Sequence, residues 1–166
     1  MTMPVSEKNF LERIASHIPG LAGYREREGR RETDRRLREF LAGRLDDGRA
    51  GLNALRNKAI DAGELGLLDT VGRLDRMIQK SVSSLRYADY GYSGVFDQVK
   101  INEAELDQIY AYDAALVDDV AALSDKLRVA GAAPLDAAAL TPLLAAAEAV
   151  DLRIVRRKEV LEKPTA

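Results

Sequence analysis

The chain has 166 residues, 46% hydrophobic and 31% charged, with a formal net charge of −2 and no cysteine. That length and mixture fit one folded domain with a sizeable core and exclude a disordered chain. The missing cysteines exclude disulfides, thiolate metal sites and a cysteine nucleophile. The opening "MTMPVSEKNF" lacks a basic patch followed by an apolar run, and no apolar stretch approaches the roughly 18 residues of a membrane span. A soluble cytoplasmic protein is expected, with a peripheral place on the inner face of the membrane as the other option.

Alanine, leucine, arginine and aspartate dominate while β-branched and aromatic residues are scarce, which favours helix over strand. Residues 7–18, "EKNFLERIASHI", space Phe10, Leu11, Ile14 and Ile18 for a short amphipathic helix ended by Pro19-Gly20. Its charges (Glu7, Lys8, Glu12, Arg13) cancel, so docking on the protein's own bundle is expected ahead of binding to anionic lipid.

The segment 24–62 opens as nearly pure charge, "YREREGRRETDRRLREF". Glu26 and Arg30, Glu32 and Arg36, and Asp34 and Arg38 each stand four apart with the acid first, the favourable order for helical ion pairs. From Leu37 an apolar stripe follows through Leu41, Leu45, Gly48, Leu52, Leu55 and Ala59. Gly43, Gly48 and Gly51 inside it point to close helix approach or a kink, and Ala62-Gly63 reads as the stop. Residues 66–86 carry a stripe of Leu67, Val71, Leu74, Ile78, Val82 and Leu85.

Between that helix and the next lies "YADYGYSGVFDQVKIN", residues 87–102, with Tyr87, Tyr90, Tyr92 and Phe96. Gly91 and Gly94 permit a chain reversal. The aromatics are expected to plug one end of the bundle, with a ligand- or partner-binding loop as the alternative. Residues 103–130 form a heptad seam, Leu106, Ile109, Asp113, Leu116, Val120, Leu123 and Leu127, opened by an Asn102/Glu105 capping box. The last helix, within 136–163, is expected to start with Thr141 as N-cap and Pro142 at the first position, with Leu144, Ala147, Val150, Ile154 and Leu161 near one face. The expected fold is all-α: an antiparallel bundle of four long helices with a short N-terminal amphipathic helix. One domain spans 1–166, with residues 1–23 a short helix and turn, 24–130 the core helices and 136–163 the C-terminal helix.

Chemistry finds little to work with. A ferritin-like di-iron site needs Glu-x-x-His on two helices, whereas this chain has His17 alone and no such motif. The same scarcity argues against bis-histidine haem and the usual zinc sites. No phosphate-binding glycine loop and no strand-borne nucleophile elbow occurs, so no metal, no cofactor and no catalysis is expected.

Asp113 sits in the apolar seam. A slight rotation would leave it half exposed; otherwise it needs an arginine from the second helix or a tyrosine hydroxyl, because a lone buried carboxylate is expensive. The arginines at 25–38, Arg27, Arg30, Arg31 and Arg35 among them, read first as a solvated, self-paired face and next as an interaction surface. Interleaved acids and the absence of stacking aromatics make nucleic acid the weakest option. Residues 24–62 hold eleven Arg/Lys against eight Asp/Glu, and residues 89–125 hold nine acids against one lysine, an asymmetry that could steer one copy onto another.

"PGLAGYREREGRRETDRRLREFLA" (19–42), "YGYSGVFD" (90–97) and "ELDQIYAYD" (105–113) together resemble an uncharacterised family of small α-helical bacterial proteins encoded near membrane-stress genes of the band-7 and phage-shock type. The resemblance covers roughly residues 19–125 and implies a setting in stress machinery, with no activity or catalytic residue to carry over. The expected function is a non-enzymatic scaffold or adaptor acting through self-association or a protein partner. Its candidate interaction residues are Arg27, Arg30, Arg31, Arg35, Tyr90, Tyr92, Phe96 and Asp113. The alternative is a small-ligand or nucleic-acid binding module using the aromatic loop 87–99.

Overall fold

In a computed structural model, residues 5–14, 17, 18, 20, 21, 23–88 and 101–162 are described. Among them the only regular structure is helical: α1 (Val5–Ile14), α2 (Arg27–Asp61), α3 (Leu65–Arg86), α4 (Glu103–Ala132) and α5 (Leu140–Glu162), with a 3₁₀ turn at Ala137–Ala139. None of these helices is long and apolar enough to cross a membrane. The four long helices bury most of the stripe their spacing dictates, but Leu67 and Leu144 are only half-buried and Leu143 takes the core position beside Leu144. Leu37, Leu41, Leu45, Leu52 and Leu55 of α2 meet Leu116, Val120, Leu123 and Leu127 of α4 and the α3 and α5 stripes in one core. At about 25 cal/mol per Å² of apolar surface, this burial is the main force holding the helices together.

Two pairs of helices run in opposite directions, α2 with α3 and α4 with α5. Arg38 reaches Leu85 and Arg49 reaches Asp75, pairing ascending positions of α2 with descending positions of α3. Asp113 pairs with Arg157 and Asp119 with Arg153 in the same descending way between α4 and α5. The neighbours are not all antiparallel, however. Gly48 meets Ser124, Gly51 meets Leu127, and Lys58 donates to the carbonyls of Gly131 and Ala133, so α2 and α4 lie side by side in the same direction. α3 packs on α5 as well as on α2, which closes the ring of helices.

Two of the three glycines in the α2 stripe explain the tight α2–α4 seam. A Cβ on Gly131 would come within 2.6 Å of the Gly51 Cα, so the two backbones are in direct contact there. Gly48 faces Ser124, while Gly43 looks into open space and contributes nothing to the approach. At the far end of α2, Gly63 adopts a φ of +70°, which lets the Glu64 amide return to the Ala59 carbonyl and stop the helix where Ala62-Gly63 predicts.

The capping box at Asn102 and Glu105 forms both of its reciprocal bonds, at 3.0 and 2.8 Å. The start of α5 differs from expectation: Thr141 is not the N-cap. The Asp136 carboxylate accepts from the Ala138 amide and opens a 3₁₀ turn that runs straight on into a helix from Leu140. Pro142 then falls in the first turn, where its missing N–H costs nothing. α1 docks on α4, as expected, with Phe10 and Ile14 fully buried.

Candidate functional site

At the end of the bundle where α2 starts and α5 finishes, charge is buried in quantity. Arg157, at a core station of α5, is 1% exposed. Its Nε donates to Asp113 Oδ1 at 2.6 Å and its Nη2 to Asp113 Oδ2 at 3.0 Å. The third nitrogen, Nη1, donates to Asp34 Oδ1 at 2.7 Å. The Tyr24 hydroxyl donates to Asp113 Oδ2 at 2.7 Å and accepts from Arg157 Nη2 at 3.1 Å. Asp34 also accepts from Arg38 Nε at 2.8 Å, and Arg38 Nη1 donates onward to the Leu85 carbonyl at the end of α3. One guanidinium of the last helix thus ties together α4, α2 and the turn before α2, and a second extends the tie to α3.

The two carboxylates and two guanidiniums of this group balance in charge. Burial alone would pull the Arg157 guanidinium down, but the Asp113 and Asp34 carboxylates outweigh it and push it well above the usual arginine value. Burial, followed by the Asp113 charge, pushes the Tyr24 hydroxyl well above the usual tyrosine range. Both groups therefore stay protonated at any physiological pH.

A second polar chain continues toward α1. The Tyr110 hydroxyl accepts from the Tyr24 amide at 2.6 Å and donates to Glu7 Oε1 at 3.2 Å, while Arg25 holds the other Glu7 oxygen at 3.0 Å. Burial, reinforced by the Glu7 carboxylate, also pushes the Tyr110 hydroxyl up. The rings of Phe10, Tyr24 and Tyr110 pack against one another with centroids 5.1 to 6.0 Å apart. The turn that places Tyr24 depends on Gly23, whose φ is +81° and whose missing Cβ makes room for the Tyr110 hydroxyl. Thr33 donates to the Gly23 carbonyl and Arg30 to the Tyr24 carbonyl, so the first turns of α2 fix the turn that precedes them.

The candidate residues therefore separate. Asp113 is fully buried, not half exposed, because Arg157 and Tyr24 neutralise and solvate it. The tyrosine partner matches expectation; the arginine comes from α5 and not from the second helix. The arginine run is not a uniformly solvated face. Arg30 and Arg38 are buried and spent on internal partners, Arg27, Arg31 and Arg35 are exposed, and Arg35 pairs with Glu32 at 2.9 Å. Of the expected four-apart pairs, Glu32–Arg36 forms at 2.6 Å and Asp34–Arg38 forms inside the protein. Tyr90, Tyr92 and Phe96 lie outside the described residues, as does most of the 87–99 loop. Tyr87 ends α3 with 77% of its surface exposed.

Arg157, Asp34, Arg38, Tyr24, Tyr110 and Glu7 were not among the sequence candidates. A signal for the first was present: Ile154 and Leu161 stand seven apart on the buried face, and the station between them is Arg157. No group of three or more His, Cys, Asp or Glu able to hold a metal occurs among the described residues. His17 is exposed, its ring 5.6 Å from that of Phe40. Fold and site define an all-helical protein organised round a buried ion-pair hub. Compared with protein-family models, with curated proteins and with solved structures, the chain matches none.

Proposed function

We propose that the protein is a non-enzymatic helical scaffold or adaptor that acts through its surface, by self-association or by holding a protein partner. The observation that supports this reading is the closure of the buried polar hub. Among the described residues, no buried side-chain nitrogen or oxygen lacks a hydrogen-bond partner. Asp113, Asp34, Arg38 and Arg157 neutralise each other, so none offers a free lone pair or a poised proton to a substrate. A group arranged in that way fixes how five chain segments meet, which suits a rigid body that presents a surface.

Two surface features suit such a role. Arg27, Arg31 and Arg35 follow one another at four-residue spacing on the outer side of α2, which aligns their exposed side chains along one face. At the opposite end, Ile60 and Leu65 stand 56% and 75% exposed beside the α2–α3 turn. The proposed setting, a membrane-stress complex at the inner face of a bacterial membrane, is carried by the family resemblance. The bundle itself would be a four-helix body in which successive helices alternate in direction.

The test is sedimentation together with affinity capture of the tagged protein from bacterial cells, at low and high salt. A self-associated or stoichiometrically partnered species is expected. Its loss at high salt, and in an Arg27→Glu, Arg31→Glu, Arg35→Glu variant, would assign the contact to the α2 face. A monomer without partners at either salt concentration would refute the scaffold reading.

A further inference from the structure

At the end of the bundle away from the charged hub, residues 133–136 and the 3₁₀ turn join α4 to α5. A cavity of about 520 Å³ opens between the last two turns of α4 and the first turn of α5. That volume lies within the usual range for a small-molecule site, about 300–1,000 Å³. Leu55, Leu140 and Leu143 line it, together with Val129, which is 58% exposed. The remaining lining is alanine and proline, apart from three charged side chains. The lining residues include no aromatic ring to stack a flat ligand and no amide or hydroxyl side chain to orient a polar one.

The three charged residues differ in commitment. Asp136 accepts from the Ala138 amide at 2.9 Å. Asp125 stands 3.7 Å from Arg128 and 4.0 Å from Arg44. Lys126 is exposed and, among the described residues, has no ion-pair or hydrogen-bond partner. Of the three, only Lys126 lacks any polar partner among the described residues, and an apolar trough edged by that ammonium complements a flexible aliphatic chain ending in a single anionic group.

We propose that this cavity binds a free single-chain aliphatic carboxylate, with the tail along Leu55, Val129, Leu140 and Leu143 and the carboxylate at Lys126. The site is separate from the α2 face invoked for the scaffold role and does not depend on it. In a ligand of this class the chain supplies affinity through buried methylenes, and the lysine chooses the headgroup.

Calorimetric titration of the full chain with octanoate, decanoate and dodecanoate, below their micellar concentrations, tests this. One-to-one saturable binding is expected, with affinity rising up to about fourfold per added methylene. Lys126→Gln should weaken dodecanoate binding several-fold and leave dodecanol binding unchanged. Ala139→Trp should block both by filling the cavity, with circular dichroism checking that each variant folds. Absence of saturable binding would overturn the proposal, as would affinity independent of chain length or carboxylate affinity indifferent to Lys126→Gln. Binding to phosphatidylglycerol vesicles without binding of the free carboxylates would overturn it too, and would make the trough a membrane contact. Failure here with a salt-sensitive oligomer intact would leave the scaffold reading standing.

Discussion

Arg157 of α5 grips Asp113 of α4 side-on, Nε to Oδ1 at 2.6 Å and Nη2 to Oδ2 at 3.0 Å, with both side chains at most 2% exposed. Removing either partner strands a charge where water cannot reach it. Asp113→Leu and Arg157→Met should each destabilise the protein by about 3–5 kcal/mol. The double replacement Asp113→Leu with Arg157→Met should cost much less than the two single changes added together, because it leaves Asp34 still paired with Arg38. Urea unfolding of the four proteins measures this. Additive losses would mean that the pair is not coupled.

Tyr24 supplies the hub's one neutral bridging group, donating to Asp113 and accepting from Arg157. Tyr24→Phe keeps the ring against Phe10 and Tyr110 but strips one hydrogen bond from each ion. A loss of about 1–3 kcal/mol is expected from the same unfolding measurement. A change under 0.5 kcal/mol, marginal on the scale of about ±0.5 seen for surface substitutions, would show that the hydroxyl is dispensable.

The helices were legible in the sequence because each stripe is set by spacing alone. α4 is the clearest case: all seven heptad stations from Leu106 to Leu127 are buried. The hub was half legible. Asp113 stood out as a charge in an apolar seam, but its main partner lies 44 residues further along the chain, and no local spacing rule links such positions. Asp34 and Arg38 were visible as a pair, yet a four-apart ion pair on a charged helix looks the same whether it faces solvent or core. Only the packing of α5 against them decides. The parallel course of α2 and α4 was also out of reach, since short connections fix the direction of successive helices and not which of them become neighbours.

The α2–α4 seam gives a contrast between two glycines of the same helix. A Cβ on Gly51 would overlap the Leu127 carbonyl, a backbone group that cannot step aside, whereas one on Gly43 would meet nothing within 4 Å. Gly51→Ala should therefore destabilise by about 3 kcal/mol. Gly43→Ala should stabilise by about 0.5–1 kcal/mol through lower unfolded-chain entropy. Thermal unfolding of both variants checks the signs, and a stabilising Gly51→Ala would mean that the helices are further apart than described.

Acid should loosen α2 from α3 at Asp75. Burial would push this carboxyl up, but Arg49, hydrogen-bonded at 2.8 Å, and Arg56, at 3.3 Å, outweigh it and hold it below its ordinary value of 3.8. A depressed carboxyl stabilises the fold above its unfolded value, and that contribution is lost as pH falls through the folded one. Asp75→Asn should lower the melting temperature at pH 7 and flatten its decline below about pH 4. Parallel melting curves for the two proteins across that range would show that Asp75 does not contribute.

Alkali tests the other half of the site. Burial pushes both Tyr24 and Tyr110 above their ordinary value of 10.0. The folded protein therefore holds on to protons that the unfolded chain would release. Stability is fully present below the unfolded value and falls as pH climbs above it. The chain has six tyrosines, and the ultraviolet tyrosinate signal should rise in two stages. The first stage should be reversible. Tyr24 and Tyr110 should follow only together with the loss of helix by circular dichroism, because an ionised Tyr24 would place a third negative charge beside Asp113 and Asp34. Tyr24→Phe should remove part of the second stage and leave the first intact. A single smooth rise through all the tyrosines with helix preserved would mean that the aromatic cluster is open to water.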